Sequence, residues 1–281
     1  MNYVTYFGLR EPPFGITPDT SFFYACRSTQ EALNTLLVAL ANGEGFIKIT
    51  GEVGTGKTLL CRKLLGTLDA GWVSAYIPNP MLEPRGLLLA IVEELGVAID
   101  VTADQHRLLK SITKRLLDFA RLRKRVVLCM DETQSMPIET LETLRLLTNL
   151  ETEKRKLLHV VLFGQPELDQ KLASESIRQL RQRIIFQYEL KGLADEEVDA
   201  YVSHRLAIAG YSGAQMLSAG ALIALNRASR GVPRLVNILV HKSLLLAYGE
   251  GGKIVERRHM RAAVEDTPAA TPLMPFSGVA T

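Results

Sequence analysis

A glycine-rich loop that ends in a lysine constrains this chain more than any other feature. Residues 51–58 read Gly-Glu-Val-Gly-Thr-Gly-Lys-Thr, which fits the pattern G-x-x-x-x-G-K-T. The apolar run 45–50 before the loop predicts a buried strand, and apolar residues at helical spacing over 58–65 predict a helix after it. A strand, a glycine loop and a helix in this order are the context in which the pattern binds phosphate. The alternative is a fortuitous glycine-rich turn.

The residue types of the loop suit a nucleoside triphosphate. The glycines let main-chain N–H groups turn inward around a phosphate, and the start of the next helix adds the positive end of its dipole. We expect Lys57 to reach the β- and γ-phosphates and the hydroxyl of Thr58 to bind Mg²⁺. The loop residues predicted to contact the nucleotide are Gly51, Glu52, Val53, Gly54, Thr55, Gly56, Lys57, Thr58 and Leu59.

Two carboxylates, Asp131 and Glu132, directly follow a second apolar run at 126–130. In a parallel sheet the carboxyl end of this strand lies at the same edge as the loop. There Asp131 is expected to hold Mg²⁺, directly or through water, and Glu132 to polarise an attacking water. The alternative is a strand that merely ends in acidic residues. A glutamate directly after the aspartate, with one further strand between the loop and this pair, favours an ATP-hydrolysing motor over a kinase or a GTPase.

The next predicted strand, 156–163, brings Gln165 to the same edge. An amide there can orient the lytic water or contact the γ-phosphate, although an ordinary turn residue is the alternative. His159, inside this strand, is interpreted as a core histidine. A short basic helix over 176–183 and a closing strand over 184–190 complete the predicted sheet domain.

The pattern changes after Gly192, beyond which helices alone are predicted. The sequence therefore predicts an α/β domain over 1–192, a parallel sheet flanked by helices, and a small all-α lid over 193–266. Residues 1–27 form an aromatic-rich arm that we assign to the α/β domain, and its aromatic side chains are interpreted as packing the arm against that domain. The alternative is that part of the arm, with Phe14 as the candidate, covers the adenine. The proline- and alanine-rich residues 267–281 predict a disordered tail.

Composition indicates a globular chain of one or two domains. The 281 residues are 47% hydrophobic and 22% charged, and the net charge of +3 demands no acidic partner. Cys26, Cys61 and Cys129 form no C-x-x-C pair, which favours reduced, buried thiols in the cytosol. The start of the sequence lacks the pattern of a signal peptide, and no apolar run approaches the length of a membrane span. The basic residues within 110–125 are interpreted as a solvated face, with a nucleic-acid patch as the alternative.

Several motifs resemble the AAA+ ATPases and, within them, the ExeA/GspA group of secretion ATPases. They are the loop, Phe7-Gly-Leu, Pro13-Phe14, Thr17-Pro-Asp19, the box Asp131-Glu-Thr-Gln134 and the run 163–168. The resemblance covers roughly residues 5–266. It implies an ATP- and Mg²⁺-dependent ATPase that forms a homo-oligomeric ring, commonly a hexamer. It also implies a role with assembly proteins of an MSHA (type IV) pilus or a type II secretion apparatus at the inner membrane. We therefore expect a cytoplasmic protein or one peripheral to that membrane; this sequence ends before the membrane span and peptidoglycan-binding domain of ExeA-like members.

The resemblance also implies roles for individual residues. Gln165 matches the sensor-1 position, where many AAA+ proteins have asparagine. Arg183 matches the arginine finger, with Arg181 as a competitor, and Arg234 matches the sensor-2 arginine of the lid. Thr133 stands where the related box commonly has alanine, and little consequence is expected.

Two other functional hypotheses stay open at this point. One is a DNA-associated AAA+ ATPase, such as a transposition helper or a helicase-loader-like factor. Against nucleic acid, the basic runs 121–125 and 154–156 precede strands and so lie at the edge of the sheet opposite the nucleotide. The other is an ATP-dependent switch that does not hydrolyse, against which both Glu132 and Arg183 argue.

Overall fold

The computed structural model of the chain describes residues 2–98, 100, 102–152 and 155–273. The strands over these residues are β1 Phe46–Thr50, β2 Trp72–Ile77, β3 Arg125–Met130, β4 Glu151–Thr152, β5 Arg155–Lys156, β6 His159–Gly164 and β7 Ile184–Glu189. The α-helices are α1 Tyr3–Tyr6, α2 Arg27–Asn42, α3 Lys57–Thr67, α4 Pro84–Glu94, α5 Gln105–Arg121, α6 Ile138–Leu147, α7 Glu167–Leu172, α8 Arg178–Arg181, α9 Glu197–Ile208, α10 Ala219–Ser229, α11 Pro233–Gly249 and α12 Arg257–Glu265.

The chain folds into two compact units. Among the described residues, the sheet unit comprises those of Thr29–Val53 and Lys57–Leu190, and the helical unit comprises those of Met1–Ser28, Gly54–Gly56 and Lys191–Thr281. The N-terminal segment thus groups with the C-terminal helices, whereas the sequence predicts that it belongs to the α/β domain.

The sheet unit is built on a five-stranded parallel sheet in the order β2-β3-β6-β1-β7. The parallel sheet predicted from the sequence is confirmed. The register pairs Thr50 of β1 with Gly164 of β6, and Met130 of β3 with Leu162 of β6. The carboxyl ends of these three neighbouring strands therefore meet at one edge of the sheet, where each strand passes into a predicted site segment.

Alternating side chains of the strands belong to two apolar cores, one on each face of the sheet, because successive residues of a strand face opposite sides. Val127, Cys129, Val161 and Phe163 belong to one core, which helices α2 and α3 cover. Val126, Leu128, Val160 and Leu162 belong to the other, which α4, α5 and α6 cover. Burial on both faces explains why these strands read as continuous apolar runs.

The strand predicted over 156–163 begins later in the structure, at His159. Arg155 and Lys156 instead pair antiparallel with Glu151 and Thr152 in a small hairpin. His159 is 3% exposed and its Nδ1 lies 2.7 Å from the carbonyl oxygen of Glu44, so the interpretation as a core histidine is confirmed.

The helical unit has its own core, to which the N-terminal segment contributes. Phe7 and Phe14 are buried in it beside residues of α9, α10 and α11. The guanidinium of Arg205 on α9 donates from Nε to the carbonyl oxygen of Pro13 at 2.6 Å. The amide of Asn237 on α11 donates to the carbonyl oxygen of Gly15 at 3.2 Å. These polar contacts hold the N-terminal backbone on the helices.

The first part of the predicted tail also packs in the helical unit. Thr267 and Ala270 are buried, and the main-chain N–H of Thr271 donates to the carbonyl oxygen of Ala228 at 2.9 Å. The remainder of the predicted disordered tail, 274–281, lies outside the described residues.

Cys26, Cys61 and Cys129 are buried free thiols, as the sequence predicted. A hydrogen bond with Cys129, together with burial, raises the pKa of the Cys61 thiol. In the part of the chain that the structure describes, no helix combines the length and the apolar character that a membrane span requires.

Candidate functional site

Lys57, the lysine of the glycine loop, is the first residue of α3. Its side chain is buried, and Nζ donates to the carbonyl oxygens of Gly51 at 2.7 Å and Glu52 at 3.0 Å. Burial lowers the pKa of this ammonium group, because a cation loses hydration inside the protein. An anion that reached the loop would therefore meet a poorly solvated positive charge.

The conformation of the loop depends on its glycines. Gly54 has φ +83° and Gly56 has φ +99°, values that L side chains rarely adopt. Gly54 also groups with the helical unit, and a Cβ on it would lie 2.6 Å from Cβ of Arg234 in the same unit. Of the other predicted loop residues, Val53 is exposed, Thr55 is buried, and Leu59 is half-buried on α3.

Thr58 and Asp131 lie together, as the sequence predicted for two groups at one edge. The Thr58 hydroxyl donates to Oδ2 of Asp131 at 2.5 Å, and the Tyr76 hydroxyl lies 3.5 Å from the same oxygen. Burial raises the pKa of Asp131, although the hydrogen bonds from Thr58 and the main chain of Glu132 oppose this shift. Burial and the nearby Asp131 charge raise the pKa of Tyr76.

These two oxygen donors fit a magnesium ion. Mg²⁺ in nucleotide sites is typically held by one or two protein oxygens, with phosphates and waters as its other ligands. A hydroxyl and a carboxylate at hydrogen-bond distance supply such a pair. The described residues contain no group of three or more His, Cys, Asp or Glu side chains that could hold a metal ion.

Glu132, two residues after the end of β3, adopts an uncommon backbone conformation with φ 51° and ψ 37°. Its carboxylate oxygen Oε2 accepts hydrogen bonds from the side-chain amides of Gln134 at 2.6 Å and Gln165 at 3.2 Å. Gln165, expected at the same edge as the loop and Asp131, thus contacts the carboxylate of Glu132. A non-glycine residue in the left-handed region persists where its surroundings determine it, and such residues cluster at functional sites.

Thr133 and Gln134 join the site, although the sequence analysis assigned them no role in it. The hydroxyl of Thr133 is completely buried and donates to the carbonyl oxygens of Phe163 at 2.8 Å and Met130 at 3.2 Å. It thus ties the end of β3 to the end of β6 by a contact that an alanine at this position could not make. The position of Thr133 and Gln134 beside Glu132 was the available signal in the sequence. Their hydrogen-bond partners at the end of β6 could not be predicted from it.

Arg183 contacts the end of α6. Its Nη1 donates to the carbonyl oxygen of Arg145 at 3.0 Å and to Oγ1 of Thr148 at 3.2 Å. A cation at the last turn of a helix is favourably placed against the helix dipole. Arg181, its competitor for the role of arginine finger, is exposed.

Arg234 and Phe14 both belong to the helical unit. Arg234 lies in the first turn of α11, and its main-chain N–H donates to the carbonyl oxygen of Gly54 at 3.2 Å. Phe14 is 3% exposed in the core of that unit. Contact with an adenine ring would require this side chain to be uncovered, so its assignment to the nucleotide stays a prediction.

Part of this chain matches a family model, and most of the chain matches a known relative. The family model described as an AAA domain matches residues 40–172. The chain is 44% identical to general secretion pathway protein A of Aeromonas hydrophila over 264 residues, 94% of this chain and 48% of that protein. The chain thus spans about half the length of the curated relative that it matches.

Similar folds occur among solved structures. The ORC2 protein of Aeropyrum pernix matches with a TM-score of 0.68 at 18% identity, over 92% of this chain and 73% of that chain. The Cdc6p protein of Pyrobaculum aerophilum matches with a TM-score of 0.66 at 18% identity, over 88% and 70% of the two chains. The RuvB Holliday junction branch migration motor of Thermotoga maritima gives 0.58 at 16% identity, over 90% and 73%. At these identities the likeness concerns the fold alone.

Proposed function

Because the chain belongs to the AAA+ ATPases, in the group of general secretion pathway protein A, we propose that it binds ATP with Mg²⁺ and hydrolyses the γ-phosphate. The observation that carries this proposal is the convergence of three segments at one edge of the sheet. The loop ending in Lys57 follows β1, Glu132 follows β3, and Gln165 follows β6. A phosphate-binding loop alone would support binding, whereas a glutamate bonded to Gln165 at the same edge supports hydrolysis.

The residues of the site have separate roles in the transfer of the γ-phosphoryl group to water. The N–H groups of the loop and Lys57 bind the phosphates. Thr58 and Asp131 would hold the Mg²⁺ that accompanies ATP, and the ion would supply positive charge beside the phosphates. Water attacks the γ-phosphorus, its proton passes to Glu132, and the bond to the oxygen of the departing ADP breaks.

Gln165 is suited to orient this water, because its amide already contacts the carboxylate of Glu132. For Arg234 and Arg183 we propose the roles of sensor-2 residue and arginine finger. Arg183 would then act on the ATP of a neighbouring copy in a homo-oligomer, and Arg181 stays its alternative.

The cellular role proposed is energy supply for the assembly of a type II secretion apparatus or an MSHA-type (type IV) pilus at the inner membrane. The identity with general secretion pathway protein A supports this role. Assembly proteins of that apparatus are the proposed partners.

A titration with ATP and Mg²⁺, combined with a steady-state phosphate-release assay, tests the proposal. Lys57→Ala removes the cation of the loop, and we expect it to abolish tight ATP binding and turnover. Lys63→Ala is the matched control, since Lys63 is an exposed lysine on the same helix α3. Wild-type affinity and turnover in Lys57→Ala would refute the site, and binding without turnover in the wild-type oligomer would refute hydrolysis while preserving binding.

A further inference from the structure

The side chains of three residues and the main-chain N–H of one of them form a closed hydrogen-bonded ring at the carboxyl edge of the sheet. The amide nitrogen Nε2 of Gln134 donates to Oε2 of Glu132 at 2.6 Å, and Nε2 of Gln165 donates to the same oxygen at 3.2 Å. The main-chain N–H of Gln165 donates to Oε1 of Gln134 at 3.0 Å. The amide nitrogen of Gln134 therefore donates to Glu132, and the amide oxygen accepts from Gln165 at the end of β6.

The chemistry of this ring requires an amide at position 134. A main-chain N–H can only donate, and an ionised carboxylate can only accept. A side chain between the N–H of Gln165 and the carboxylate of Glu132 must therefore present one acceptor and one donor. A glutamate at 134 would lose the donor and place a second negative charge against Glu132, and a methionine of similar length would offer neither strong donor nor strong acceptor.

The main chain around Gln134 is held as well. Lys171 on α7 donates from Nζ to the carbonyl oxygens of Gln134 at 2.5 Å and Met136 at 2.6 Å. The hydroxyl of Ser135 donates to the carbonyl oxygen of Glu132 at 2.8 Å. The left-handed backbone of Glu132 is thus fixed by its neighbours, which leaves the orientation of its carboxylate to the two amides.

Both amides contact the same carboxylate oxygen, and that of Gln134 makes the shorter bond. This arrangement leaves the second oxygen, Oε1, to accept the proton of a water. We propose that Gln134 is a positioning residue that holds Glu132 in the orientation for proton abstraction and couples it to Gln165. The inference rests on the proposed function, because it assigns Gln134 to the same hydrolysis.

Two variants of Gln134 and a matched control test this role in the full chain. Gln134→Met removes the polar contacts at similar length, and Gln134→Glu adds like-charge repulsion. Gln187→Glu, at an exposed position of β7 in the same sheet, adds the same charge away from the ring. The measurements are kcat and KM for ATP by phosphate release, nucleotide Kd by titration, and Tm.

A misplaced catalytic group costs about a hundredfold in rate for a displacement of about 1 Å. We accordingly expect kcat to fall at least about tenfold in Gln134→Met and further in Gln134→Glu. A residue that acts only on the chemical step leaves KM and Kd within about twofold of wild type, and Gln187→Glu should match wild type throughout.

Each other outcome overturns the inference. Unchanged kcat in both Gln134 variants would show that Gln165 alone orients Glu132. A loss of nucleotide affinity and Tm in step with kcat, in both variants, would assign Gln134 a structural role instead. Turnover by wild type in either case would leave the proposed function standing, whereas a wild-type protein that binds ATP without turnover would remove the proposed hydrolysis and this role together.

Discussion

Thr133 provides a test of how the carboxyl ends of β3 and β6 are joined. Its hydroxyl donates to the carbonyl oxygen of Phe163 at 2.8 Å, and the side chain is fully buried. Thr133→Val keeps the shape and removes the hydroxyl, which costs about 1 kcal/mol for a lost hydrogen bond. Thr133→Ala, the residue common in the related box, also deletes a buried methyl group and should cost about 2 kcal/mol in total.

Thermal denaturation of the nucleotide-free protein measures these differences. A loss of about 1 kcal/mol lowers Tm by about 2–4 °C for a domain of this size. The control is Thr67→Val, since Thr67 is exposed and its hydroxyl donates to the carbonyl oxygen of Lys63 in its own helix. Surface substitutions usually change stability by less than about 0.5 kcal/mol. If Thr133→Val melts at the temperature of wild type, the hydrogen bond between the ends of β3 and β6 does not contribute as argued.

Three further predictions concern charged residues of the site. Burial raises the pKa of Asp131 above its unfolded value. Ionisation of this carboxyl therefore opposes folding, and the folded protein loses stability as pH rises from the unfolded pKa through the folded pKa. Asp131→Asn should therefore raise the Tm of the metal-free protein at neutral pH, and this gain in Tm should disappear toward pH of about 4, where the wild-type carboxyl is protonated. The same variant should weaken the Mg²⁺ dependence of ATP binding. A lower Tm than wild type at neutral pH would contradict the prediction. Arg234→Ala should lose ATP-dependent protection against limited proteolysis, and protection equal to wild type would exclude the proposed sensor-2 role. Arg183→Ala should bind ATP and lose about 10³–10⁵ in turnover, yet regain part of it when mixed with Glu132→Gln; mixed oligomers without recovery would exclude action on a neighbouring copy.

The sequence predicts those parts of the site whose signal is local. Lys57 and Thr58 were identified because loop, strand and helix follow one another within a short stretch. Asp131, Glu132 and Gln165 were placed at the same edge because each directly follows a strand of a parallel sheet. Such placement needs only the direction of the strands.

Contacts between distant segments were not predictable in this way. The position of Phe14 depends on the bond from Arg205 to the carbonyl oxygen of Pro13, which joins residues far apart in the chain. An aromatic residue in a turn-rich segment suits a core and a ligand site equally well by composition. The partners of Arg183 at the end of α6 depend similarly on packing that spacing does not encode.

The most direct test of the central proposal is ATP turnover by Glu132→Gln. The amide preserves the shape of the side chain and cannot act as a base. We expect ATP affinity within about threefold of wild type and phosphate release reduced at least about a hundredfold, the usual contribution of a general base. Glu93→Gln, at an exposed position of α4, is the control and should retain full turnover. Turnover of Glu132→Gln at the wild-type rate would contradict the assignment of Glu132 as the catalytic base.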